Sequence, residues 1–173
     1  MATTMAEPTR RDVLYIATGA VAAVGAGAVA WPLINQMNPD ASTIAAGAPV
    51  ELDVGAIAEG QTVKLTWRGK IIFVTHRTKQ EIEDARNVQL SQLPDPQSDE
   101  QRTKKPEWLV AIGVCTHLGC IPLTQQGDFK GGYFCPCHGS HYDTSGRIRK
   151  GPAPRNLELP PYAFASDTKL VIG

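Results

Sequence analysis

Two short boxes, Cys115-Thr116-His117-Leu118-Gly119-Cys120 and Cys135-Pro136-Cys137-His138-Gly139-Ser140, begin twenty positions apart and hold all four cysteines and two of the four histidines of this chain. No other feature constrains the fold as strongly, because thiols and imidazoles so concentrated point to a metal centre, and a metal centre requires two separate loops to meet. Both boxes are bounded by turn-forming residues and follow short apolar runs, Trp108 to Val114 and Tyr133-Phe134. Each therefore reads as a loop at the end of a strand, and two such loops face to face make a claw.

The claw can hold zinc, an all-cysteine iron-sulfur cluster, or a mixed cluster on two thiolates and two imidazoles. An all-cysteine site would take Cys115, Cys120, Cys135 and Cys137, yet only the first interval fits the plant-type spacing, and both histidines would be left unexplained. The mixed assignment uses C-x-H from the first box and C-x2-H from the second. Cys120 and Cys137 then remain, one in each loop, and could bridge the loops if their alpha carbons lay about 4.4 to 6.8 Å apart. A structural zinc on two cysteines and two histidines stays open at this point.

The pairing of CTHLGC with CPCHGSHYD resembles the Rieske iron-sulfur protein of bacterial and mitochondrial cytochrome bc complexes. The resemblance implies one 2Fe-2S cluster, with Cys115 and Cys135 on one iron and His117 and His138 on the other, and a disulfide from Cys120 to Cys137. It implies hydroxyl hydrogen bonds from Ser140 to a cluster sulfur and from Tyr142 to the Cys115 sulfur. Leu118 and Gly119 would form an apolar docking tip, and the proline loop Gly151-Pro152-Ala153-Pro154 would cover the cluster from a third side. His138 would contact quinol and receive its proton, with His117 as its exposed partner. Exchanging two thiolates for neutral imidazoles raises the potential, to about −150 to +300 mV against about −400 mV for plant-type ferredoxins, which suits an acceptor of electrons from quinol.

The fold so implied is all-β: a Rieske-type antiparallel β-sandwich at 51–173, with a cluster-binding subdomain at about 108–155, tethered to a single N-terminal transmembrane helix. The function the resemblance implies is that of the Rieske subunit of a ubiquinol:cytochrome c oxidoreductase, an enzyme whose catalysis needs the assembled complex. Partners would be ubiquinol, cytochrome b and a c-type cytochrome within a dimeric complex. The alternative is a Rieske subunit of another anchored periplasmic oxidase.

The N-terminus supports an anchor on its own composition. No residue from Val13 to Ile34 is charged, and these roughly 22 residues would span about 33 Å as a helix against a bilayer core of about 30 Å. Tyr15 and Trp31 sit near the ends, Pro32 reads as a stop, and Arg10 and Arg11 precede the span. Positive charge on that flank predicts residues 1–11 in the cytoplasm and the domain beyond the span in the periplasm, with the span in a bacterial inner membrane. Thr9-Arg10-Arg11-Asp12-Val13-Leu14 also resembles a twin-arginine export signal. The anchor is set at 12–36 and a hinge of small and polar residues at 37–50, across which the resemblance implies a swinging domain.

Val63 to Trp67 alternates with period two, Arg68-Gly69-Lys70 offers a turn, and Ile71 to Thr75 follows, giving a hairpin. Thr78-Lys79-Gln80-Glu81 has capping-box form and predicts a short helix from about Lys79 to Asn87. Leu170-Val171-Ile172 predicts a closing strand. Pro94 to Pro106, polar and proline-rich, reads as a mobile loop, and His76 as a surface residue. The balance of 17 basic and 17 acidic residues gives no footprint for nucleic acid.

Overall fold

The computed structural model describes residues 9–173, so the first eight residues of the segment assigned to the cytoplasm lie outside it. The chain divides into two units, Met1–Ile44 and Ala45–Gly173.

The first unit is built on α1 (Arg10–Asn35), long and apolar enough to cross a membrane. Its start is fixed by a capping box: the Thr9 hydroxyl accepts from the Asp12 amide at 3.3 Å, and the Asp12 carboxylate accepts from the Thr9 amide at 2.9 Å. Pro32 does not end the helix, which continues to Asn35. Placed in the last turn, a proline removes a single hydrogen bond, and its carbonyl still accepts from the Gln36 amide at 2.9 Å. The tract read as a plain hinge also contains a short helix, α2 (Ala41–Ala46). Asp40 initiates it, accepting from the Thr43 amide at 2.7 Å and the Ser42 hydroxyl at 2.8 Å.

The second unit consists of three antiparallel sheets. One joins β1 (Val50–Asp53), β10 (Lys169–Ile172) and β9 (Tyr162–Phe164), so the segment Leu170 to Ile172 closes the domain against its first strand. The middle sheet joins β2 (Thr62–Trp67), β3 (Lys70–His76) and β4 (Trp108–Ile112). Its hairpin turns on Arg68 and Gly69, both at positive φ (48° and 71°), which matches the right-handed twist of paired strands. The third sheet joins β5 (Leu123–Thr124), β6 (Tyr133–Cys135), β7 (Ser140–Tyr142) and β8 (Ile148–Lys150).

The middle sheet is apolar on both faces. Ile72, Val74, Trp108, Val110 and Ile112 pack toward Tyr162, Leu170 and Ile172 of the first sheet. The alternate residues Phe73, Leu109 and Ala111 pack toward Tyr133, Tyr142 and Ile148 of the third, together with Cys115 and Cys135. Side chains alternate across a strand, so a strand buried on both sides must be apolar throughout, as Trp108-Leu109-Val110-Ala111-Ile112 is.

Helix α3 (Lys79–Arg86) follows β3 with the expected capping box between Thr78 and Glu81. The segment from Pro94 to Pro106 differs from the mobile loop expected of it. It forms a helical turn, α4 (Asp99–Arg102), whose Asp99 and Arg102 are buried. Asp99 receives two hydrogen bonds from the buried Arg77, at 2.6 and 3.2 Å, and one from Ser145 at 2.5 Å. Polar composition misleads here because the polar groups turn inward, Asp99 to Arg77 and Ser145, and Arg102 to the Ser145 and Leu157 carbonyls, and buried polar groups must stay ordered to hold their partners. His76 is likewise not a free surface residue: its ring stacks on Trp108 at 4.1 Å and its Nδ1 lies 2.7 Å from the Ile57 carbonyl.

Candidate metal centre

The first box leaves β4 through Gly113 and Val114. The second connects β6 to β7. Both loops close in the same way, with a glycine amide returning to the carbonyl of the cysteine four residues earlier: Gly119 to Cys115 and Gly139 to Cys135, each at 3.0 Å. The returns need φ of +83° at Gly119 and +72° at Gly139, which only glycine adopts without strain. In the first loop the Cys115 amide also donates to the Cys120 carbonyl at 2.7 Å.

A single ring locates both loops. Phe73 fills the space over Gly113, where an added Cβ would meet its ring atoms at 2.6 Å, and it stacks on Tyr133 at 5.4 Å between centroids. Gly113 lies two residues before Cys115, and Tyr133 two residues before Cys135.

The loops bring the sequence-predicted residues together. Cys115 and Cys135 are buried free thiols, and the rings of His117 and His138 meet edge to face at 4.6 Å. Cys120 and Cys137 are joined by a disulfide with their alpha carbons 6.7 Å apart. The sulfurs of Cys120, Cys135 and Cys137 all lie within 4.8 Å of one another. Because two of these are oxidised to each other, that sulfur group is no site for a metal by itself; it shows the cross-link closing directly against the Cys135 thiol. His138 is exposed and His117 half-buried, so His117 is less exposed than expected of it.

The donor set fits a metal cluster. The Nδ1 atom of His117 is buried with no hydrogen-bond partner, a costly arrangement for an imidazole nitrogen unless a metal takes its lone pair. Burial pushes the Cys115 thiol up, but the Tyr142 hydroxyl, the His117 amide, Cys135 and Ser140 together bring it below its ordinary value. Cys135 is pushed up, by burial and by its hydrogen bond to Cys115. A cation bound between the two thiols would favour the thiolate form of both.

Hydroxyl groups surround the sulfurs. The Tyr142 oxygen, fully buried, lies 3.3 Å from Cys115 Sγ and accepts from the Thr116 amide at 3.2 Å. Ser140 Oγ accepts from the Ala153 amide at 3.2 Å, which leaves its own proton free to donate. The proline loop abuts both boxes. A Cβ on Gly151, at φ +102°, would stand 2.5 Å from the Gly139 carbonyl oxygen, Ala153 is bound to Ser140, and the Thr116 hydroxyl donates to the Arg155 carbonyl at 2.6 Å. Pro152 and Pro154 face outward, as does Leu118, 72% exposed beside Gly119. Thr116, which ties Tyr142 and the proline loop to the first box, and Gly113, which admits Phe73, were not singled out from the sequence. Neither belongs to a ligand spacing, so a pattern search has no means of reaching them.

Antiparallel sheets that hold two buried thiols and two imidazoles at adjacent loop tips, cross-linked by a disulfide, define a metalloprotein whose donors are cysteine and histidine. Residues 50–163 match the family described as "Rieske [2Fe-2S] domain", and residues 1–40 match "Ubiquitinol-cytochrome C reductase Fe-S subunit TAT signal". A "Ubiquinol-cytochrome c reductase iron-sulfur subunit" of Bradyrhizobium diazoefficiens is 64% identical over 96% of this chain and 95% of its own length. One of Rhodospirillum rubrum is 60% identical over 96% and 93%. A chain of the solved "Hyperthermophilic respiratory Complex III" superposes with a TM-score of 0.56 at 32% identity, covering 90% of this chain and 98% of its own. The chain belongs to the family of Rieske iron-sulfur subunits of ubiquinol-cytochrome c reductase. It is accordingly a 2Fe-2S electron carrier of a cytochrome bc complex, with cytochromes as partners and a membrane-anchored, exported architecture.

Proposed function

We propose that Cys115 and Cys135 ligate one iron through sulfur, that His117 and His138 ligate the other through Nδ1, and that the subunit takes one electron and one proton from ubiquinol and passes the electron to the c-type cytochrome. The observation that carries the ligand assignment is the partnerless Nδ1 of His117 beside the His138 ring, with two buried thiols at the base of the same loops. When bound, the cluster supplies a high-potential one-electron acceptor. The chain's own residues do the rest. His138, the more exposed ring, accepts the quinol proton at Nε2. The Tyr142 hydroxyl would donate a hydrogen bond to Cys115 Sγ and the Ser140 hydroxyl one toward the bound cluster, both favouring added negative charge there. Leu118 and Gly119 form the docking tip, and Gly151 to Pro154 keep water from the third side.

The domain plan follows the same reading: 1–11 cytoplasmic with the Arg10-Arg11 export signal, 12–36 the anchor in the inner membrane, 37–50 a hinge, and 51–173 the periplasmic cluster domain. Uncharged residues through the span and the arginine pair on one flank support that orientation. A dimeric complex and cytochrome b as the quinol-side partner rest on the family resemblance. Electron paramagnetic resonance of the reduced, detergent-extracted protein tests the ligand set: the native signal and acid-labile sulfide should be present, and both should vanish when His117 and His138 are replaced. A preparation free of iron and sulfide, or a native signal surviving that replacement, refutes it. Co-purifying b- and c-type haems with quinol-dependent cytochrome c reduction test the partners.

A further inference from the structure

Three sulfur atoms crowd the junction of the two boxes, and only two of them are bonded to each other. The Sγ atoms of Cys120, Cys135 and Cys137 lie within 4.8 Å of one another, with Cys120 and Cys137 joined and Cys135 a free thiol. Cys115, the other free thiol, stands outside that group. A disulfide rearranges when a third sulfur attacks one of its two, so Cys135 is a nucleophile held beside its target. The loops that hold these sulfurs are closed by their own backbone. The Gly119 and Gly139 amides return to the Cys115 and Cys135 carbonyls at 3.0 Å, and the Cys115 amide reaches the Cys120 carbonyl at 2.7 Å. None of these bonds depends on a metal, so the crowding outlasts the loss of one.

The two attacks open to Cys135 differ. Bonding to Cys137 would join positions separated only by Pro136, whose ring fixes φ and leaves little freedom to close so short a cycle. Bonding to Cys120 keeps one loop tied to the other across a separation slightly below the native 17 positions, so loop-closure entropy scarcely changes. It also moves the free thiol from a buried position, Cys135, to an exposed one, Cys137, where water solvates the departing thiolate. Burial and the contact with Cys115 push the Cys135 thiol up, which slows the attack without preventing it.

We infer that Cys135 competes for the cross-link whenever no iron holds its sulfur: Cys135 Sγ attacks Cys120 Sγ, the Cys120–Cys137 bond breaks and a Cys120–Cys135 bond forms. The proton of the Cys135 thiol ends on Cys137, and no electrons are gained or lost, so the step is an isomerisation that needs no oxidant. The exchanged chain still has two thiols, Cys115 and Cys137, but it has lost a ligand. Iron binding and correct disulfide pairing therefore protect each other. The shielding by iron rests on the reading of Cys135 as a ligand; the exchange rests on the sulfur geometry alone.

The test follows disulfide connectivity in the full-length, detergent-extracted protein. Half of a loaded sample is stripped of iron with a chelator under argon, which excludes new oxidation, and both halves stand for about a day, since uncatalysed rearrangement takes minutes to hours. Each is denatured at acid pH, which halts exchange, and its free thiols are labelled with a maleimide and located by fragment-ion mass spectrometry. The loaded half should be labelled on Cys115 and Cys135 alone. In the stripped half the label should move from Cys135 to Cys137 in about a tenth of the chains or more, the share that a tenfold preference for the native pairing would leave, with two labels per chain throughout. Cys115→Ser, which loses a ligand and keeps the sulfur group, should exchange without stripping, and Cys135→Ser should keep the native pairing. Label remaining on Cys115 and Cys135 after stripping overturns the inference. So does label spread evenly over all four cysteines, the mark of scrambling in an unfolded chain, or loss of the native pairing in Cys135→Ser. Exchange in the loaded half instead overturns the reading of Cys135 as a ligand and leaves the exchange itself standing.

Discussion

Replacing Tyr142 by phenylalanine should lower the midpoint potential of the cluster while leaving the cluster in place. The hydroxyl lies 3.3 Å from Cys115 Sγ, and the ring, carried on β7, is fully buried, so phenylalanine occupies the same volume. A hydrogen bond to a charged group contributes about 1.5 to 3 kcal/mol in total, and only the part that grows when the sulfur gains negative charge affects the potential. If about 1 kcal/mol is differential, the shift for a one-electron couple is roughly 40 mV downward, since about 1.4 kcal/mol corresponds to 59 mV. The whole bond, were it made only in the reduced state, would give a ceiling of about 130 mV. The loss also leaves the Thr116 amide without its acceptor, for a stability cost of about 1 kcal/mol. A redox titration followed by paramagnetic resonance, with iron and sulfide quantified, measures the effect. A fully loaded variant with an unchanged or raised potential would refute the assignment of Tyr142 as a donor to sulfur.

Ser140→Ala should also lower the potential with the cluster retained, and should loosen the proline loop because the Ala153 amide loses its acceptor, seen as faster hydrogen exchange at Ala153. Asp99 carries an acid limb of stability. Although burial raises its pKa, hydrogen bonds from Arg77 and Ser145 and the charges of Arg77 and Arg147 bring it below 3.8, so its contribution is complete above about pH 4 and lost as pH falls through the lower folded value. Asp99→Asn should remove that dependence and cost about 3 to 5 kcal/mol at neutral pH by stranding the Arg77 charge, measured by denaturant unfolding at several pH values. The Cys120→Ser, Cys137→Ser pair opens a cross-link between positions 17 apart and should cost about 3 kcal/mol, read as a lowered midpoint of thermal cluster loss. Ala46-Gly47→Pro-Pro should slow quinol-dependent cytochrome c reduction with an unaltered cluster signal; full turnover would dismiss the hinge.

Spacing made the claw legible, because the two cysteines and the histidine of each box lie within one short loop. Alternation likewise revealed the β2–β3 hairpin, and the capping box marked α3. What sequence concealed were interactions that join distant positions. Arg77, Asp99, Arg102 and Arg147 each look solvent-directed by composition, yet they are buried through contacts between residues 22 to 68 positions apart or with backbone carbonyls. Thr116 draws its role from Tyr142 and Arg155, which nothing in the first box foreshadows. Pro32 shows a different limit: proline reads as a stop, but near the end of a helix it forgoes one hydrogen bond, to the carbonyl four residues earlier, while its own carbonyl still closes the turn that follows.

The seat of Phe73 between Gly113 and Tyr133 gives the two boxes a common datum on the middle sheet. A shift of that ring should therefore displace both loop roots together, so lesions elsewhere in the sandwich should lower the melting midpoint well before they broaden the spectrum, whereas Phe73→Ala should disturb both at once.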